Sequence, residues 1–539
     1  MKVIVLGGSG VFGSRLADLL CRDGHQVFIG GRRPEPLRAV ADRLGCTPVR
    51  IDRDGDLSPI AGCGAEVLVD AAGPFHAYGA DPYRLARYCA RNALNYIDLS
   101  DDAEFTRGIA SLDAEFRKND RFALSGASSV PAISAAAARH LARNMDEIVL
   151  VESAILPGNR APRGHSVIAS ILSQVGSPVA MWRGGQWRKY RSWTAPRRYA
   201  LTEKDRRTAF LLRVPDTDLF PEFLRARSVL FRAGMELGTL NFAVSLVAAM
   251  RRLTGKAPSD RFARLARHAA GLLISLGSDR GGMIVETTGN ESGETICRRW
   301  RLLAEAGDGP YMPAVPTRAL LRRPASIAPG AHPCLEDLEL GELETATSDL
   351  AVETVHDIEH RPSLFRHALG EDWSALSPTV RRMHSVQDVE SFSGTAEVTR
   401  GSGLLARLAA AFFGFPAPGE NVPLTITKTR TGKGEIWERD FNGKRFRSYL
   451  KPSRPGHYRE RFWAFDYEQE LPVADGRLSL PVRRGWFAGI PLPGALLPGS
   501  DSTEYEVDGE FRFDVGLYAP LNGGLIVRYR GTVKPDATF

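Results

Sequence analysis

The sequence predicts a doubly wound parallel α/β sheet at the N-terminus, an α+β region after it, and a mostly antiparallel β region at the C-terminus. Three observations carry that expectation. Lys2 to Leu6 is a short, β-branched apolar run of the kind that makes a buried parallel strand, and it leads through a glycine turn into a helix with Leu16, Ala17 and Leu20 on one face. Strand-like and helix-like stretches then alternate as far as about residue 145. From Val386 the pattern changes to short alternating strands separated by turn dipeptides.

A chain of 539 residues is too long for one core and is expected to hold two to four domains; the strand and helix alternation and the change of periodicity and turn density near residue 362 fit a division into 1–145, 146–361 and 362–539. Hydrophobic residues make up 43% and charged ones 25%, which suits a globular protein. The net charge is +7, but arginine is scattered along the chain without a helix-turn-helix, zinc-finger or aromatic nucleic-acid signature, so nucleic acid is not expected as a partner. An anionic cofactor, an anionic substrate or the surface of a membrane suits that charge. The six cysteines (Cys21, Cys46, Cys63, Cys89, Cys297 and Cys334) show no C-x-x-C and no histidine at ligand spacing, so neither a metal site nor a disulfide framework is expected, as in a reducing cytoplasm. The chain opens on a strand, so no signal peptide is expected, and its longest apolar stretch, Leu237 to Met250, is too short to span a bilayer and reads as a buried helix in preference to a membrane-surface anchor.

Within the N-terminal turn, Gly8, Gly10 and Gly13 fit G-x-G-x-x-G and Gly7, Gly10 and Gly13 fit a looser spacing. A turn without side chains lets backbone N–H groups approach a pyrophosphate, and the helix N-terminus adds partial positive charge, so Gly7, Gly8, Ser9, Gly10, Val11, Phe12 and Gly13 are candidate dinucleotide contacts. Asp23-Gly24 ends the helix and His25 to Gly31 is a second strand. Where an acid would bind a free ribose 2′-hydroxyl the chain offers Arg32 and Arg33, which favours a 2′-phosphate and hence NADP(H), and argues against an S-adenosylmethionine site. Leu37 to Leu44 is a helix, and Thr47 to Asp52 a third strand with Asp52 at its end among the candidate cofactor contacts. Val67 to Asp70 is a fourth strand, and its exit loop places Ala72, Gly73 and Pro74 beside the nicotinamide. Helix at Asp81 to Asn92, strand at Tyr96 to Leu99, helix at Leu112 to Lys118 and strand at Phe122 to Leu124 complete the alternation.

Hydride chemistry leaves the protein to orient the ring and supply a proton. His76 and Tyr78 in the loop after the fourth strand, and Asp98 at the end of the fifth, are candidates; packing, helix capping and loop anchoring are the competing readings. Arg160 and Arg163, in GNRAPRGH, form a glycine-flanked turn suited to a carboxylate or phosphate, with His165 as a general-acid candidate, unless this is simply a surface loop. Helices are expected at Gly164 to Val175 and Arg225 to Leu253. The apolar content of Val229 to Leu253 leans toward an acyl substrate or a homodimer interface.

The glycine turn, GRRP, AAGPFHAYG (Ala71 to Gly79), NYIDLSDDAEF (Asn95 to Phe105) and GASSVPAISAA (Gly126 to Ala136) together resemble the saccharopine dehydrogenase-like NADP-binding domain, a Rossmann-type fold. The likeness runs on through PGNRAPRGHS (Pro157 to Ser166), DRGGM (Asp279 to Met283) and GDGPYMPAVP (Gly307 to Pro316). That superfamily includes opine-type amino acid reductases and trans-acting enoyl reductases. The resemblance therefore implies an NADP-dependent oxidoreductase acting on a C=N, C=O or C=C bond of a small or lipid-linked substrate, a substrate domain from Asp146, and a return helix at Thr317 to Arg323. A strand-like return from Glu336 and a linker at His360 to Ser363 are expected to follow. An NADPH-binding scaffold or sensor whose β region binds a lipid or protein is the alternative.

From Pro362, helices at Leu364 to Leu369 and Trp373 to Leu376 precede hairpins marked by Asn442-Gly443, Asp475-Gly476, Asp508-Gly509 and Asn522-Gly523. Alternation puts Glu435, Trp437 and Arg439 on one face and Ile436, Glu438 and Asp440 on the other, and with Arg459, Glu460 and Arg461 reads as cross-strand ion pairing or a ligand groove. This region resembles the domain of unknown function 4166, which implies no known activity.

Overall fold

The computed structural model describes residues 1–162, 171, 173–255, 273–521 and 523–536. The N-terminal strands are β1 (Lys2–Leu6), β2 (Gln26–Gly31), β3 (Thr47–Arg50), β4 (Val67–Asp70), β5 (Asn95–Asp98) and β6 (Phe122–Ser125), with helix α1 (Val11–Arg22) between the first two and α2 (Pro34–Leu44) between the next. Val3, Ile4, Val5, Val67, Leu68 and Val69 are fully buried, as strands covered on both faces require. The sheet runs β3-β2-β1-β4-β5-β6 and ends on a seventh strand, Gly330–Pro333, all parallel. This is the doubly wound order whose switch point, between β1 and β4, opens a crevice at the carboxyl ends of the strands.

A second sheet of seven strands is mixed, with Val229–Ala233 parallel to Glu147–Leu156 at its centre. Here the expected single helix from Arg225 to Leu253 divides: VLFRA becomes a strand, and the helix begins only at Gly238 and runs to Thr254. A buried β-branched and aromatic pentapeptide beside an open parallel edge gains more as a strand than as a helix turn. The stretch from Glu336, expected as a strand-like return, first forms the helix Leu340–Ala346, because Glu342 Oε2 accepts from Glu339 N at 2.8 Å at its start and Leu340, Leu343 and Ala346 share one buried face. The strand Val352–His360 follows, taking in the start of the expected linker. The return helix spans Val315–Arg322 and is held to the C-terminal end of α1 by buried Arg318, whose Nη2 donates to Asp23 Oδ1 at 2.7 Å.

Contacts divide the chain into two compact units: residues 1–182, 187–289 and 297–359, and residues 183–186, 290–296 and 360–539. The first holds both sheets above. The second is built on one 13-stranded antiparallel sheet around its own aromatic core, which includes Phe365, Phe392, Trp437 and Phe441. No described helix is long and apolar enough to cross a membrane.

Candidate functional site

The glycine turn is tightly determined. Gly7 takes φ +77°, and a Cβ there would lie 2.7 Å from Ala71 O; a Cβ on Gly13 would lie 2.3 Å from Gly7 O. Gly7 therefore lets the turn approach the exit of β4, and Gly13 lets α1 pack on the turn. Gly10 is the N-cap of α1 and no side chain caps it, so the first-turn N–H groups at Val11, Phe12 and Gly13 face the crevice without an intrahelical partner. This cradle fits a diphosphate.

Arg32 and Arg33 follow β2 directly, are exposed, and make no ion pair or side-chain hydrogen bond among the described residues. Two guanidiniums with their forks unengaged fit a phosphate on the ribose. Asp52 is exposed just beyond β3, and its Oδ1 accepts from Asp54 N at 3.2 Å. Ala72, Gly73 and Pro74 leave β4 half-buried, with Ala72 N donating to Asp70 Oδ1 at 3.0 Å.

The three proton-donor candidates have different surroundings. His76 is exposed, in the short helical turn Phe75–Ala77. Tyr78 is buried among Phe75 and Phe105, with Arg53 stacked 3.5 Å from its ring centroid, and its hydroxyl donates to Asp70 at 3.0 Å. Burial raises Asp70 to about 6 and pushes Tyr78 up as well. Asp98 is fully buried, and its Oδ1 accepts 2.9 Å bonds from Ser100 N, Ser125 Oγ and Gly126 N, while burial raises it to about 7. Tyr78 and Asp98 thus tie the loops after β4, β5 and β6 together, and either would have to break those bonds to reach a substrate.

In the substrate region, Arg160 N donates to Ser278 O at 2.9 Å and its Nη2 to Ser275 O at 3.3 Å. Glu236 joins the same place, accepting from Asn159 N at 2.7 Å and Ser278 Oγ at 2.7 Å. The stretches PGNRAP and DRGGM, far apart in sequence, therefore meet. Arg163 and His165 lie outside the described residues.

A buried ionic face in the second sheet was not read from the sequence. Glu152 and Glu286 are almost fully buried; Arg197 bridges both, at 2.5 Å to Glu286, Arg299 adds 2.6 Å to Glu286, and Arg232 and Tyr199 close on Glu152. A carboxylate inside an apolar run, as in VLVESAIL and MIVETT, was the available signal, since such a group needs a buried cation. No group of three or more His, Cys, Asp or Glu placed to hold a metal occurs among the described residues. Cys21 and Cys46 are free thiols whose Sγ atoms lie 3.3 Å apart, a proximity that their sequence separation hides.

In the second unit Glu435, Trp437 and Arg439 face inward and Glu438 outward, where it pairs with Arg447 at 4.0 Å. Arg459 stacks 3.9 Å from the Trp486 ring centroid, Arg461 pairs with Asp466 at 3.2 Å, and Glu460 is buried against Arg439 at 3.3 Å.

Residues 376–533 match the family model of DUF4166, a domain of unknown function, where the hairpin region suggested it. Comparison with curated proteins finds no match. Among solved structures the chain is similar to apo histidine-tagged saccharopine dehydrogenase (L-Glu forming) from Saccharomyces cerevisiae, at 12% identity over 66% of this chain and 99% of that one, with a TM-score of 0.46. It is also similar to the RhlG/NADP active-site complex of Pseudomonas aeruginosa, at 17% identity over 23% and 69%, with a TM-score of 0.20. Hydroxysteroid dehydrogenase from Escherichia coli gives 12% identity over 23% and 69%, and a TM-score of 0.20.

Proposed function

We propose that the first unit is an NADP(H)-dependent oxidoreductase acting on a C=N, C=O or C=C bond of a small or lipid-linked substrate. One observation carries the reading: an uncapped glycine turn at the switch point of a 3-2-1-4-5-6 parallel sheet, with Arg32 and Arg33 exposed and unpaired just past β2. When bound, the cofactor supplies or accepts the hydride. The first turn of α1 binds its diphosphate, and Arg32 and Arg33 bind its 2′-phosphate. The half-buried loop Ala72 to Pro74 orients the ring side, and His76, exposed in the turn that follows, holds or releases the proton on its imidazole.

Isothermal calorimetry tests this. Arg32→Ala should weaken NADPH by about 1–3 kcal/mol, the scale of one lost charge-assisted contact, and spare NADH. Equal loss for both cofactors sinks the assignment. A second reading, an NADPH-binding scaffold or sensor, is favoured by the engagement of Tyr78 with Asp70 and of Asp98 with the β5 and β6 loops. Tight NADPH binding without turnover on imine, carbonyl and enoyl compounds would select it.

A further inference from the structure

The 13-stranded sheet of the second unit curves around a cavity of about 130 Å³. Much of its wall is apolar, from Leu424, Phe441, Phe513 and Leu517 on three strands. Into the same space project buried polar groups joined to one another. Arg439 Nη2 donates to Glu460 Oε1 at 3.3 Å, Gln469 Nε2 donates to Glu460 Oε2 at 2.8 Å, and Tyr458 Oη donates to Gln469 Oε1 at 2.9 Å. Ser500 and Ser502 pair at 2.9 Å, and Glu504 is held against buried His384. These groups are paired with one another, and their hydroxyl and carboxylate oxygens keep further lone pairs that a hydrogen-bonding group in the void can use.

The cavity also has an apolar cover. Helix Leu404–Phe413 carries no acidic residue; its Phe413 lines the cavity, while Leu404, Leu408 and Phe412 stand 71%, 59% and 60% exposed on the outer side. Phe412 continues through Phe465, at 6.3 Å between ring centroids, to Phe487, at 4.8 Å from Phe465, and so to exposed Ile490. An apolar rim beside an amphipathic interior selects for an amphipathic occupant. Arg439 is the one cation among the lining residues, and Glu460 already matches it, so no guanidinium or ammonium is left to take an anionic head.

We propose that this cavity binds an amphiphile with a single medium-length alkyl chain and a small neutral hydrogen-bonding head, such as a fatty alcohol. The volume holds roughly ten waters at about 10–15 Å³ each, and so a chain of about that many heavy atoms. The head meets Gln469, Tyr458 and Ser502, and the chain lies along Phe441 and Phe513 beneath the helix. This reading is independent of the cofactor site.

The test uses the full chain and a decanol carrying a diazirine in its alkyl chain, with crosslinks mapped by peptide mass spectrometry. Saturable labelling should fall within residues 411–441 and 511–529, and unlabelled decanol should displace the probe at a concentration about tenfold below decanoate, because a carboxylate would be buried there unpaired. Labelling should persist in Arg32→Ala. Val515→Trp, which fills the cavity, should lose it at an unchanged melting temperature. Labels confined to residues 1–359, no saturable labelling of the wild type, or full labelling of a folded Val515→Trp would each overturn the site. Decanoate competing as well as decanol would overturn the neutral head.

Discussion

Lys428 tests the interior of the second unit most directly. It lies on the strand Gly419–Thr431, fully buried, with Nζ 3.5 Å from the Trp437 ring centroid and donating to Met383 O at 2.8 Å. Burial pushes its pKa down to about 7 from the usual 10.5, against the pull of Glu504 and Glu435. Below pH 7 the lysine is protonated in folded and unfolded chains alike, and the folded chain bears the whole desolvation cost. Between about 7 and 10.5 the unfolded chain binds more protons, so stability rises with pH. At about 1.4 kcal/mol per pH unit, that gap amounts to about 5 kcal/mol across the window. Lys428→Met keeps most of the volume and removes the titration, so urea unfolding followed by circular dichroism should show the variant more stable at pH 6 and the difference closing toward pH 10. Wild type and variant with the same pH slope between 7 and 9.5 would refute the reasoning, and would mean that the ring face and the carbonyl solvate the ammonium as well as water does.

Two further outcomes follow from the geometry. Gly13→Ala forces a Cβ to 2.3 Å from Gly7 O and must displace α1, so it should cost about 1–3 kcal/mol in thermal unfolding as well as abolish NADPH binding; Gly10→Ala meets only Gly7 O, at 3.0 Å, and should weaken binding in fluorescence titration with little loss of stability. Arg183, donating to both carboxylate oxygens of Asp388 at 2.6–3.1 Å, is part of the second unit despite its place in the chain, so Arg183→Ala should lower that unit's urea stability by about 3 kcal/mol and leave NADPH affinity unchanged in calorimetry.

Much of the fold was legible because its signals are local. β1, the turn and α1 are a contiguous run, and the Arg32-Arg33 pair follows β2 without a break. The hairpin dipeptides also behave as their chemistry requires: Asn442-Gly443, Asp475-Gly476 and Asp508-Gly509 take positive φ at both positions. What escaped was set by partners distant in sequence. Gly330–Pro333 reads GAHP, with no β-branched residue, and is a strand because the edge of β6 is there to pair with. Val229–Ala233 looked like the start of a helix because an apolar run fits either period. The pairing that decides it, with Glu147–Leu156, comes from more than seventy residues earlier.

The site divides along the same line. Cofactor candidates were readable because a diphosphate is bound by consecutive backbone amides, and consecutive residues are what a sequence displays. Proton donors and cavities are made by side chains that converge from separate strands. Nothing in AAGPFHAYG says that the Tyr78 hydroxyl turns inward to Asp70 while His76 stays outside, and nothing in LTITKTRT separates buried Lys428 from a solvated lysine. The alternation in GEIWERDF did show which residues share a face, yet not that this face closes on itself, so that Arg439 pairs with Glu460 from another hairpin in the wall of a cavity. A curved sheet turns a periodic pattern into an enclosed site only through the pairing of its distant strands. The second unit's chemistry is therefore sought among the groups that line its interior, Arg439, Glu460, Gln469 and Glu504, and not among the outward-facing Arg459 and Arg461 that the same strands present to solvent.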